Sequence, residues 1–162
     1  LAHGQAGPPE VWNPTKAFRW NAVRFAYKVF SVALCANQVE SGWMIWLDAD
    51  THTHTPVPVN WLANVCPSGR MVSYLGRGEK YHSECGWVGY NLDHPATRQF
   101  IQDFVEMYRT DAIFKEREWH DSYIWDVIRK RYQPTNKFFN LNSSWEDKGL
   151  AGHPFINSEL GR

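Results

Sequence analysis

Apolar positions recur along this chain in two periods. Phe18, Ala22, Phe25, Ala26, Val29, Phe30 and Ala33 follow one another at three- and four-residue steps, the signature of an amphipathic helix. Asn13-Pro14 reads as its start, with Asn as cap and Pro at the first helical position, and the pattern runs out near Asn37. Trp43-Met44-Ile45-Trp46-Leu47 is a continuous apolar run ending in acid, as in a buried strand with Asp48 at its carboxyl edge. Residues 51–58 form a loop punctuated by Pro56 and Pro58. A short helix is predicted at 59–65, and strands at 71–75 and 87–91, with a polar loop between the strands.

Asp93-His94-Pro95 is expected to open a second long helix with Phe100, Ile101, Phe104, Val105 and Tyr108 on its buried stripe. His120-Asp121 opens a third, with Tyr123, Ile124, Val127 and Ile128 facing inward, and the tail from Asn140 onward reads as loop. Strands separated by helices predict an α/β fold: a mostly parallel central sheet with flanking helices in a single domain over residues 1–162.

Composition narrows the function classes. Formal charge is zero and no basic stripe stands out, so nucleic acid is not an expected partner. No apolar run approaches the roughly 20 residues needed to span a bilayer. Cys35, Cys66 and Cys85 are widely spaced and form no C-x-x-C pair, which fits a reducing compartment, and a cytoplasmic location is expected. The nine Trp, seven Tyr and nine Phe suit a packed core first and sugar-stacking surfaces second.

The sharpest chemical signal is Asp48-Ala49-Asp50. Two carboxylates straight after an apolar strand lie where open α/β sheets bind ligands. Hard divalent cations such as Mg²⁺ or Mn²⁺ take oxygen ligands of this kind and bridge to phosphate. Loop-capping acids are the alternative. His52 and His54 continue the two-residue step, but Pro56 and Pro58 favour a segment leaving the sheet and solvated histidines. Glu84, in Glu84-Cys85-Gly86-Trp87, is either a base or acceptor-hydroxyl ligand, or a loop acid beside a core Trp. Asp121 reads equally as an N-cap or a catalytic base. His153, in the non-helical Gly152-His153-Pro154, offers a third ligand to a metal on Asp48 and Asp50.

Taken in order, Arg24-Phe25-Ala26-Tyr27-Lys28-Val29, Trp46-Leu47-Asp48-Ala49-Asp50, the stretch from Glu84 to Asn91 and Gly152-His153-Pro154-Phe155 resemble GT-A-type glycosyltransferases, most closely bacterial or phage-associated ones. The resemblance runs from about Asn13 to Arg162. It implies a partial GT-A-like fold whose nucleotide-binding half would lie upstream, the chain being a fragment of a larger domain. It implies transfer of a sugar from a nucleotide-diphosphate donor to the hydroxyl of a carbohydrate or lipid-linked acceptor. Asp48, Asp50 and His153 would hold Mn²⁺ or Mg²⁺, Glu84 would line the acceptor pocket, and Asp121 would match the base. Two other readings stand beside it: a non-catalytic carbohydrate-binding module using the tryptophans, and a metallohydrolase using Asp48, Asp50, His52 and His54.

Overall fold

The structure, a computed structural model, describes residues 15–53, 56–58, 60–78, 81–132 and 137–142. A short 3-10 turn, Ala17–Trp20, leads into helix α1, Ala22–Gln38. The cap is Asn21, whose side chain accepts from the Arg24 N–H at 3.1 Å. Helix α1 thus begins later than the expected Asn13-Pro14 start, which lies outside the described residues. Its buried face is Ala22, Ala26, Val29, Val32, Ala33 and Ala36, while Phe18 and Phe30 are exposed.

Strand β1 is Trp43–Leu47 and is followed by a five-residue helix, α2, Trp61–Val65. Strands β2, Val72–Leu75, and β3, Glu84–Asn91, come next. Helix α3 spans Thr97–Arg109 and helix α4 Asp121–Arg131, and a three-residue strand β4, Phe138–Asn140, falls at the edge of the stretch expected to be loop. The opening of α3 lies beyond Asp93-His94-Pro95, because Asp93 turns back to accept from the Gly42 N–H at 3.0 Å. All five stripe residues expected on α3 are buried. On α4, Ile124 and Ile128 are fully buried, whereas Tyr123 and Val127 are half-buried.

The four strands form one sheet in the order β1-β3-β2-β4. Strand β3 is antiparallel to both β1 and β2, and β4 is parallel to β2. The expectation of a mostly parallel sheet is therefore corrected to a mixed one within an α/β architecture. The reason is the connection between β2 and β3. Positions 76–83 join the two strands, fewer than the dozen or more residues a parallel crossover needs, so the chain returns antiparallel. The irregular pairing at Tyr74 and Leu75 lets β3 extend back to Glu84, into the segment expected to be loop.

One sheet face packs on α1, α3 and α4 through Met44, Trp46, Cys85, Val88, Tyr90 and Tyr74. Trp43, Ile45, Trp87 and Leu75 face the other side, against Val65, Cys66 and Trp61 of the α2 region. The alternation along β1 and from Trp87 onward in β3 is the period of two expected of strands; the irregular pairing with β2 breaks it between Cys85 and Trp87. Arg98 on α3 caps α1: its guanidinium donates to the Ala36 carbonyl, and to those of Val39 and Glu40 at 2.7 and 2.9 Å. That clamp sets α1 across the sheet with Lys28 above the carboxyl end of β1.

Candidate functional site

Asp48 follows β1 directly, and its N–H donates to the Gly86 carbonyl at 2.9 Å. The Trp46 indole N–H donates to Asp48 Oδ1 at 2.7 Å. Lys28 Nζ lies 2.8 Å from the same oxygen and 2.7 Å from Asp121 Oδ2. It also sits over the Trp46 ring, 5.6 Å from its centroid. Burial alone would lower the Lys28 pKa, but the Asp121 charge and hydrogen bonds to both carboxylates hold it well above the usual lysine range. Lys28 therefore stays charged and ties α1 to the carboxyl end of β1 and the first residue of α4.

Asp121 is buried at the N-terminus of α4, where a carboxylate is favoured by the helix dipole. The capping role considered for it belongs instead to His120, whose Nδ1 accepts from the Tyr123 N–H at 3.4 Å. Asp121 is thereby freed to face Lys28.

Glu84 opens β3. Its Oε1 accepts from the Gly86 N–H at 2.9 Å and its Oε2 from Arg77 at 3.2 Å. A Cβ at Gly86 would lie 3.1 Å from Glu84 Oε1 and 3.5 Å from Asp48 Oδ2. The missing side chain at Gly86 thus lets both carboxylates approach the same backbone position. Glu84 keeps 31% of its side-chain surface exposed and Asp121 only 8%.

Asp50 is exposed, on the turn closed by the Thr51 N–H to Asp48 carbonyl bond at 2.9 Å. The strand ends before this turn, so His52 does not continue the face of Asp48; it is exposed in the following loop. His54 and His153 lie outside the described residues. Asp48 leaves the carboxyl end of β1 as expected, although β1 is the edge strand of the described sheet. Every described tryptophan is buried or half-buried, which favours the core reading of the aromatic load.

A second cluster was not read from the sequence. Glu118 Oε2 lies 2.8 Å from His120 Nε2 and 3.3 Å from His82 Nε2, and Glu118 Oε1 lies 3.0 Å from Arg19. The 117–120 segment is held by the Trp119 N–H to the Arg19 carbonyl, 2.8 Å, and by the Trp20 indole to the Arg117 carbonyl, 3.1 Å. His82 is placed by its neighbour Ser83, whose N–H and hydroxyl donate to Asp126 at 2.8 and 2.7 Å. Burial pushes His120 below the usual histidine range, outweighing its hydrogen bond to Glu118. For Glu118, burial acts upward, but the His120 bond and the Arg19 charge hold it below the usual carboxylate range. The one local sequence signal was Glu118-Trp119-His120, two chemical residues a step of two apart; His82 gave none.

No protein-family profile, curated protein or solved structure matches the chain. Among the described residues no helix is long and apolar enough to cross a membrane.

Proposed function

We propose that this chain carries the metal-binding and acceptor side of a nucleotide-sugar-dependent glycosyltransferase of GT-A type. The observation that carries the reading is the convergence of Asp48, Glu84 and Asp121, from three separate elements, around Lys28 and Gly86. In this reading the acceptor hydroxyl oxygen bonds to the anomeric carbon as the bond from that carbon to the diphosphate breaks. The electron pair leaves on the diphosphate, and in an inverting enzyme the hydroxyl proton goes to Glu84 or Asp121.

The residues suit a hard divalent cation. Both side-chain contacts to Asp48 described above fall on Oδ1, Oδ2 lies on the Gly86 side beside Glu84, and Asp50 sits exposed on the adjoining turn. Mn²⁺ or Mg²⁺ bound there would neutralise the departing diphosphate. His153 as a third ligand rests on the resemblance alone. Lys28 orders Asp48 before donor or metal arrives. The donor is a nucleotide-diphosphate sugar and the acceptor a carbohydrate or lipid-linked hydroxyl.

The test is sugar transfer by the complete gene product, assayed over a panel of nucleotide sugars with Mn²⁺. Asp50→Ala is expected to lower turnover by a factor on the order of 10³, since each 1.36 kcal/mol of lost leaving-group stabilisation is tenfold. Metal-dependent transfer that Asp50→Ala leaves at the wild-type rate would overturn the assignment. The metallohydrolase reading is weakened by the end of β1 at Leu47, which breaks the Asp-to-His face.

A further inference from the structure

The cluster above Asp121 has the composition of a transition-metal site. Nε2 of His82, Nε2 of His120 and a carboxylate oxygen of Glu118 converge with all three ligand atoms within 4.8 Å of one another. We propose that His82, Glu118 and His120 bind a zinc-class divalent ion, at a site separate from Asp48 and Asp50. The proposal does not rest on the glycosyltransferase reading.

Three observations support it. The first is ligand chemistry: two imidazoles and one carboxylate suit zinc and its neighbours rather than Mg²⁺ or Ca²⁺, which prefer all-oxygen shells. The second is spacing. Tetrahedral zinc with bonds of about 2.0–2.1 Å places its ligand atoms about 3.3 Å apart. Glu118 Oε2 is 3.3 Å from His82 and 2.8 Å from His120, so both separations from the carboxylate are close to that value, while the two imidazoles stay within 4.8 Å of each other. The third is outer support. Arg19 occupies Glu118 Oε1 and leaves Oε2 toward the histidines, as the carboxylate of a metal site is commonly oriented. Three protein ligands leave a fourth position for water or a ligand atom, on the side where His82 keeps 36% of its side chain exposed.

Binding displaces a proton from His120: the Tyr123 N–H donates to its Nδ1, so the ring proton sits on Nε2 and points at Glu118. An ion on Nε2 displaces that proton to solvent or to Nδ1, which lies 4.0 Å from Asp121 Oδ1.

The experiment is titration of the chelator-treated protein with Zn²⁺ by calorimetry, and with Co²⁺ by visible absorption. Expected are one ion per chain on this cluster and the strong visible bands of four-coordinate Co²⁺. His82→Ala, at a partly exposed position, is expected to keep the thermal midpoint and to weaken Zn²⁺ binding about tenfold or more, as should Glu118→Gln. Asp48→Asn is expected to leave Zn²⁺ affinity unchanged. Absence of Zn²⁺ binding, or binding that folded His82→Ala weakens less than tenfold, would overturn the proposal.

Discussion

Lys28 Nζ and Asp121 Oδ2, on helices far apart in the chain, meet at 2.7 Å with little of either side chain exposed. The same ammonium reaches Asp48 Oδ1 at 2.8 Å, so one lysine bridges the acids that leave β1 and open α4. The pair is as much a part of the fold as of the candidate site.

Lys28→Met should therefore destabilise the protein by about 3 kcal/mol, because removing one partner strands a buried charge. The double variant Lys28→Met, Asp121→Asn should recover part of that loss. Urea unfolding of the four species of the cycle measures both terms. Additive losses would mean that the two groups do not interact.

Glu84→Gln and Asp121→Asn distinguish the two base candidates. In an inverting transferase, the variant of the true base loses transfer by about 10²-fold or more while keeping nucleotide and metal binding. The other variant should act on acceptor affinity or on stability. Asp121→Asn is further expected to lower the unfolding midpoint, since it weakens the hold on Lys28; Glu84, with its larger exposure, should leave the midpoint close to wild type. Steady-state kinetics beside thermal melts read both effects.

Gly76→Ala should cost stability. A Cβ there would fall 2.5 Å from Asn140 Nδ2 and 2.9 Å from Oδ1. Asn140 Oδ1 accepts from the N–H groups of Gly76 at 2.8 Å and Asn142 at 2.9 Å, and the Asn142 amide donates back to the Gly76 carbonyl. Displacing Asn140 breaks this ring of bonds beside β4, at a cost of about 1–3 kcal/mol for groups left unpaired. A wild-type denaturant midpoint would show that Asn140 moves aside freely.

The three thiols should react in order of access. Cys35 is exposed and Cys66 and Cys85 are buried. Burial pushes the Cys66 thiol up to about 11, so at pH 8 only about one in 10³ of these groups is thiolate. Burial first, and the Asp121 charge next, push Cys85 well above the usual thiol range. Alkylation of the native protein followed by mass spectrometry should label Cys35 first, then Cys66, and Cys85 only on unfolding. Rapid native labelling of Cys85 would contradict its packing under α4.

What the sequence determined by itself was local. Asp48 at the end of an apolar run, the buried stripe of α3 and the start of α4 at His120-Asp121 follow from periodicity and capping, which act within a few residues of chain. The tertiary structure decided the rest. Strand direction depended on whether a helix fills the β2–β3 connection, and a polar loop without clear turn chemistry did not announce a return. Lys28 lies among the apolar residues of an amphipathic helix and gives no sign of its partners, because those are set by how Arg98 clamps α1 over the sheet. His82, Glu118 and His120 likewise become a cluster only when α4 is docked and Ser83 is bound to Asp126. Charges and imidazoles carry no periodicity of their own; their meaning comes from groups that packing brings within about 4 Å, where an ion pair becomes significant.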